Sequence, residues 1–283
     1  MKKLNLVLFF LTGILALSEA QRPESVITEA SEPIDSSIFM DDIVKRRTIV
    51  DQRVLPYEGL READIPWEKR VWQVIDVREK MNLAFVYPKQ PLFQILNDAA
   101  TSGMVAAFRE EDFKEFMQAV EIEGMMFSMD TIQVIDPETY ETKTQIVKNE
   151  ISSASIKFFR IKEIWFFDRE ASRMRVRILG IAPIRERIIA GKAEEQAMYW
   201  LYYPQIRDIL ARHRAFNDFN DASPLSWDDV FEMRRFSSYI YKESNAQDLR
   251  LKDFFPLDGV ARLREGEKIK NKLFNFEQDL WEY

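Results

Sequence analysis

Hydrophobic and polar positions alternate most cleanly in Ile161–Pro183, which reads IKEIWFFDREASRMRVRILGIAP. Two apolar-rich runs flank the polar stretch Asp168–Arg173. In the second run Met174, Val176 and Ile178 fall on one face of an extended chain, and Arg173, Arg175 and Arg177 on the other. That is the period-two signature of a half-buried strand. The first run places Phe158, Phe159, Ile161, Ile164, Trp165, Phe166 and Phe167 within ten residues, a composition that suits a pleated surface. Together they predict an antiparallel hairpin in the middle of a sheet, ended by Pro183, which cannot donate to a ladder. Glu163 breaks the pattern by sharing a face with Trp165 and Phe167. Its candidate partner is one of the arginines across the hairpin, in a register that the sequence leaves open.

The rest of the chain mixes both periods. Ala63–Met81 reads as a helix, with Asp64 as N-cap, Pro66 in the first turn and Trp67, Val71, Val74 and Ile75 on one face. Leu92–Ala100 reads as a second, short helix. Glu110–Glu121 has Phe113, Phe116, Met117 and Val120 at i, i+3, i+4 and i+7 behind an acidic first turn, which predicts another. Phe127–Ile135 and Thr142–Lys148 read as strands around an Asp136-Pro137-Glu138-Thr139 turn, and Met198–Tyr203 as a further aromatic strand. Pro204 opens a helix through His213. Ser226-Trp227-Asp228-Asp229 resembles a capping box and predicts a helix through Arg235. Asp258–Trp281 is largely helical, with Ile269, Leu273, Phe276 and Leu280 as its stripe. The expected class is α+β: a largely antiparallel sheet around the Ile161–Pro183 hairpin, with flanking helices and an extended N-terminal arm.

The segment from 21 to 60 has no sustained period and carries Pro23, Pro33 and Pro56. One reading is a disordered tether. The other is an arm that lies on its own domain or on a neighbour, because Ile38, Phe39, Ile43, Val44, Ile49, Val50, Val54 and Leu55 are too apolar for a spacer in water. On this reading Ile38–Leu55 docks largely on another chain, packs loosely on its own domain with few contacts to Phe158–Pro183, and is dispensable for folding. Residues 1–20 have the form of a secretory signal peptide: Lys2 and Lys3, an apolar Leu4–Leu17, and small residues at Ser18 and Ala20. The apolar run is shorter than the roughly 20 residues of a membrane span. The organisation is thus a signal peptide at 1–20, an arm at 21–60 and a single α+β domain at 61–283.

Composition narrows the function. The chain has 283 residues, 46% hydrophobic and 31% charged, too polar for a polytopic membrane protein. Losing residues 1–20 removes two lysines and one glutamate, taking the formal charge from −7 to −8, which argues against nucleic acid as a partner. There is no cysteine, so no disulfide, no acylated lipoprotein and no Cys-ligated zinc.

Chemistry-bearing motifs are few. His213 is the only histidine and lies on the apolar side of its helix, which predicts a buried structural or capping role. No Gly-x-Ser-x-Gly turn, phosphate-binding loop or dinucleotide fingerprint occurs. The carboxylate pairs Asp41-Asp42, Glu110-Glu111, Glu194-Glu195 and Asp228-Asp229 read as caps and solvated faces. A glycosidase pair is the alternative, with Trp165, Trp200, Tyr202 and Tyr203 as a sugar platform. Asn217–Asp221 has the oxygen donors for calcium, through Asp218 and Asp221, but not the spacing or glycine of an EF-hand. A hydrogen-bonded loop is the simpler reading. No catalytic, cofactor-binding or metal-ligating residue is assigned. Arg173, Arg175 and Arg177 form a basic row, solvated by default, that also suits an acidic partner or anionic head groups.

Seven stretches carry a resemblance. They are READIPWEKRVWQVIDVREKMN (Arg61–Asn82), KEIWFFDRE (Lys162–Glu170), RVRILGIAP (Arg175–Pro183), YWLYYPQIR (Tyr199–Arg207), FNDFNDA (Phe216–Ala222), RRFSSYIYKESN (Arg234–Asn245) and FEQDLWE (Phe276–Glu282). In this order, from about Tyr57 to Tyr283, the chain resembles the GldN family, PorN in non-gliding species, of the Bacteroidetes type IX secretion system. The resemblance implies a non-enzymatic periplasmic subunit with no cofactor and no catalytic residues. It implies self-association in a ring at the inner face of the outer membrane, with a GldK/PorK-type lipoprotein and the periplasmic region of a GldM/PorM-type inner-membrane protein as partners. Membrane attachment would come only through those partners. The interface candidates are Ile38, Phe39, Ile43, Val44, Ile49 and Val50 on the arm, and Arg173, Arg175 and Arg177 on the sheet. The alternative function is a periplasmic glycan-binding or glycan-cleaving protein.

Overall fold

A computed structural model of the chain describes residues 43, 47–135, 142–189, 192–218, 220, 222–223 and 225–279. The chain divides into two compact units, Met1–Arg46 and Arg47–Tyr283; the fold described below is that of the second. In chain order its elements are β1 (Trp67–Asp76), α1 (Leu92–Thr101), β2 (Ala107–Phe108), β3 (Phe116–Met117), α2 (Ala119–Met125), β4 (Phe127–Ile135), β5 (Thr142–Glu150), β6 (Phe158–Asp168), β7 (Arg173–Ile189), β8 (Lys192–Ala197), β9 (Trp200–Tyr202), α3 (Tyr203–Arg212), α4 (Trp227–Glu232), β10 (Tyr239–Glu243), α5 (Leu251–Phe254) and α6 (Gly259–Asp279). The sheet runs β10-β1-β6-β7-β9-β2-β3, with β8 also on β7, and every pairing is antiparallel. β4 and β5 form a separate two-stranded hairpin. The class is α+β, as the sequence pattern predicts.

The β6–β7 hairpin is the centre of the sheet, and it runs past its predicted end. Pro183 sits inside β7, opposite Phe159. Its carbonyl accepts from the Met198 amide, so its nitrogen also points toward the β8/β9 side. There the neighbouring ladder is broken at Met198–Tyr199, between β8 and β9, and the missing donor falls at the break. A bulge leaves Leu179 unpaired, since Glu163 faces Ile178 while Lys162 faces Gly180. The bulge reverses the alternation, so Ile178 and Ile181, three apart, both enter the main core.

That core lies on one face of the sheet. Ile75, Phe159, Ile161, Ile178 and Ile181 pack with Leu92, Phe93 and Leu96 of α1, with Ile206 and Leu210 of α3, and with Trp227 and Phe231 of α4. Phe85 meets Trp227 edge-on at 5.0 Å between ring centroids and Phe231 at 5.9 Å, a preferred aromatic geometry. The Ser226 capping box forms as predicted, with Ser226 Oγ accepting from the Asp229 amide and Asp229 Oδ2 accepting from the Ser226 amide, but α4 stops at Glu232. α6 covers β10 through Ile269 and Leu273, and Phe276 stacks on Trp67 at 4.5 Å; Leu280 is outside the described residues. α6 comes close enough that a Cβ on Gly266 would stand 2.7 Å from the Ile240 carbonyl oxygen, which is why glycine occupies that turn.

Two predicted helices are not helices. Ala63–Met81 contains β1, flanked by β6 and β10, with Val71–Ile75 buried without interruption. A strand covered on both faces loses its alternation, and Val71, Val74 and Ile75 then match a helical spacing by coincidence. Glu110–Glu121 opens as a turn in which Phe113 takes φ +58°. Its ring lies over Gly180, where a Cβ would approach it to 2.5 Å, and meets Phe108 and Tyr202 edge-on. The predicted stripe is divided: Met117 is buried, while Phe116 and Val120 are exposed. The strand expected over Met198–Tyr203 is confined to Trp200–Tyr202.

Candidate functional site

The arginine row lies on the part of β7 that pairs only with β6, because β9 begins its pairing at Gly180. On β6 the same face carries Ile164, Phe166 and Asp168, opposite Arg177, Arg175 and Arg173 respectively. A strap from the chain's own N-terminal side occupies this row. Arg175 Nη1 donates to Glu58 Oε2 at 2.6 Å, and its Nε lies 3.2 Å from Asp168. Arg177 Nη2 donates to the Glu58 carbonyl at 2.8 Å, and its guanidinium lies between the rings of Tyr57 and Phe166 at 4.7 and 5.6 Å. Hydrogen bonding and charge from Arg175 hold the Glu58 carboxyl below its ordinary pKa. Arg173 is exposed and, among the described residues, has no ion pair.

The strap has a second anchor on α3 and α4. Arg207 lies 4.1 Å from the Tyr57 ring centroid and donates through Nη1 to the Leu55 carbonyl. Its Nε and Nη2 donate to the two oxygens of Asp228 at 3.1 and 3.2 Å, and the Tyr203 hydroxyl donates to Asp228 Oδ1 at 3.0 Å. Tyr57 donates to Glu232 at 2.5 Å. Burial, then the bond to Glu232, pushes the Tyr57 hydroxyl pKa up, and burial followed by Asp228 does the same to Tyr203.

The arm residues therefore part company. Ile49 is buried, whereas Ile43, Val50 and Leu55 are exposed; Ile38, Phe39 and Val44 lie outside the described residues. The arm was expected to lie loosely on its own domain. That expectation covers Ile38–Leu55; the residues that follow it, Tyr57 and Glu58, are clamped by Arg175, Arg177 and Arg207, and within the segment the Leu55 carbonyl accepts from Arg207. The sequence signal was an aromatic–acid pair, Tyr57-Glu58, in an otherwise aperiodic stretch. Arg207 gave no signal. Deletion of residues 21–58 removes the Tyr57 ring from Arg207 and leaves its Nη1 donor without the Leu55 carbonyl, a loss on the order of 2 kcal/mol. Differential scanning calorimetry should then read a midpoint lower by roughly 4–8 °C.

Other candidate residues serve the fold. Glu163 is fully buried, and its partner is Arg234, outside the hairpin, rather than a hairpin arginine. The His213 ring shares a hydrogen bond with the Ile209 carbonyl at 2.8 Å; a carbonyl only accepts, so Nδ1 carries the proton in this cap. Trp200 and Tyr203 are buried, and Trp165 is half-buried with its indole N–H on Glu163, leaving Tyr202 as the exposed member of the supposed sugar platform. Asp228 is held by Arg207 and Asp229 by the capping box. Asp218 is exposed, and Asp221 and Asp41-Asp42 lie outside the described residues. Among the described residues no group of three His, Asp or Glu is placed to hold a metal ion.

Five tyrosines are pushed above their ordinary pKa, mainly by burial: Tyr57, Tyr199, Tyr203, Tyr241 and Tyr239, the last to about 12. A folded-state pKa above the unfolded value of 10.0 means that the folded chain holds more protons in this range. Stability is then full below pH 10 and falls as pH rises through the folded values. A spectrophotometric titration at alkaline pH should show these tyrosines ionising only as the fold is lost.

The fold is an α+β domain whose central hairpin carries an arginine row clamped onto the strap at residues 55–58. The family model for the gliding motility associated protein GldN matches residues 60–282. The chain belongs to this family. A search of curated proteins found no match.

Proposed function

We propose that the chain is a non-enzymatic structural subunit of the type IX protein secretion and gliding motility machinery. Family membership carries the general role in gliding motility and type IX secretion. The finer reading is a periplasmic ring at the inner face of the outer membrane. In it the chain binds a GldK/PorK-type lipoprotein and the periplasmic region of a GldM/PorM-type inner-membrane protein, with no cofactor and no nucleic acid.

The observation that carries the reading is the match along nearly the whole compact unit. The surface is compatible with it. A ring needs two different patches on each copy, and Arg173 and Val50 are exposed and take no part in the clamp. Among the described residues no helix is long and apolar enough to cross a membrane, and a lipidated partner would supply attachment. Membrane fractionation tests this. The chain should sediment with the lipoprotein, and deletion of the lipoprotein should release or destabilise it. A chain that stays monomeric and soluble with its proposed partners present would contradict the proposal.

A further inference from the structure

A cavity of about 420 Å³ opens on the sheet face opposite the main core. Val74, Arg160 and Tyr241 contribute to its floor, α5 and the first turn of α6 form one wall, and β8 supplies Glu194 and Glu195 on another. The floor holds two donors without acceptors. Arg160 is 8% exposed, and its Nε has no hydrogen-bond partner. Its ion pair with Glu195 is stretched to 3.8 Å. The Tyr241 hydroxyl is buried and also unpartnered, with the Arg160 guanidinium 5.0 Å from its ring centroid. Burial keeps that hydroxyl protonated, hence a donor. Arg250, Lys252 and Arg262 line the same cavity, and none has an ion pair among the described residues.

Buried donors are almost always satisfied, so two side by side under a charged cavity point to an acceptor that arrives from outside. We infer that this cavity receives the carboxylate of an acidic side chain on a partner polypeptide, which accepts hydrogen bonds from Arg160 and Tyr241. A planar guanidinium matches a carboxylate. Four lining cations against two lining glutamates give a modest positive excess, which suits a single negative charge and disfavours a doubly charged phosphate. Leu263, 55% exposed at the rim, offers an apolar surface for the methylene stem of the incoming side chain. Glu195 is the internal carboxylate that the incoming one displaces. The inference does not depend on which protein presents the segment, so it stands or falls separately from the proposed ring.

The test titrates the full chain, ¹⁵N-labelled, with the capped peptide acetyl-Ala-Glu-Ala-amide while observing arginine Nε–H resonances. The Arg160 signal should shift and saturate, and the glutamine analogue of the peptide should bind about tenfold more weakly, as expected for a lost charge-assisted bond. Arg262→Ala, at a half-exposed position, and Tyr241→Phe, which removes only the unpartnered hydroxyl, should each weaken binding several-fold. Glu195→Gln should tighten it by removing the competitor. Equal binding of the glutamate and glutamine peptides overturns the inference, as does wild-type affinity in both weakening variants. Acetate binding as tightly as the peptide contradicts a polypeptide occupant, and inorganic phosphate binding more tightly contradicts a carboxylate site.

Discussion

Arg234→Ala should lower the unfolding free energy by about 3 kcal/mol, because it strands a charge that the sheet has fully buried. Glu163 is 0% exposed. Its Oε1 accepts from Arg234 Nη1 at 2.8 Å, and its Oε2 accepts from Gln73 Nε2 at 2.7 Å and from the Trp165 indole at 3.2 Å. Ser238 in turn donates to Gln73 Oε1 at 2.5 Å. Two neutral donors remain after the substitution, and neither balances the carboxylate charge. Removing one partner of a buried pair typically costs about 3–5 kcal/mol. The lower end applies here because the Arg234 side chain is 34% exposed and water already screens part of the attraction. Arg234 also holds φ +52° and stacks near Trp165 and Phe236, so a control for lost packing is needed. Arg234→Met keeps length and loses charge, and should be nearly as destabilising. Glu163→Gln made in the Arg234→Ala background should recover part of the loss, since it removes the stranded charge. The double-mutant cycle should therefore show a coupling well above about 0.5 kcal/mol. Calorimetry should read a midpoint lower by about 6–12 °C for the single variant.

Asp228→Ala is the second large effect, again about 3 kcal/mol. The carboxylate is 6% exposed and serves three donors at once: Tyr203 Oη, Arg207 Nε and Arg207 Nη2. Removing it leaves the Tyr203 hydroxyl buried without a partner and Arg207 with Glu232 as its remaining carboxylate, at 3.5 Å. Because Arg207 also holds the strap through Tyr57 and Leu55, the damage should reach residues 55–58. Tyr203→Phe removes one donor and leaves the Arg207 pair intact, so its cost should be near 1 kcal/mol. Urea unfolding should report lower midpoints for both variants with an unchanged slope. An Asp228→Ala variant as stable as Tyr203→Phe would show that the Arg207 pair contributes little.

The parts of the fold that were legible in the sequence share a physical trait. β6 and β7 have long runs with a distinct solvent side over residues 173–178, and α3 and α6 have one buried stripe each. Elements buried on both sides were not legible. In β1 the run Val71–Ile75 shows no alternation, and a short apolar run fits helix and strand equally. In Glu110–Glu121 the spacing was helical, but a single left-handed residue, Phe113, replaces the first turn. The site divides in the same way. Arg173, Arg175 and Arg177 were visible as a row because they are neighbours at period two. Their partners were not, because Glu58 is 117 positions from Arg175 and Glu163 is 71 from Arg234. Pairings over such separations are set by topology, which local pattern does not encode.

The proposed ring requires this chain to work as one of many copies in an assembly. Purifying the native complex through an affinity tag on this chain, and measuring its mass and composition by mass spectrometry, tests that most directly. The expected result is a large particle holding multiple copies of the chain together with an outer-membrane lipoprotein and the periplasmic region of an inner-membrane protein. A tagged chain recovered at the mass of a single copy, free of both partners, would contradict it.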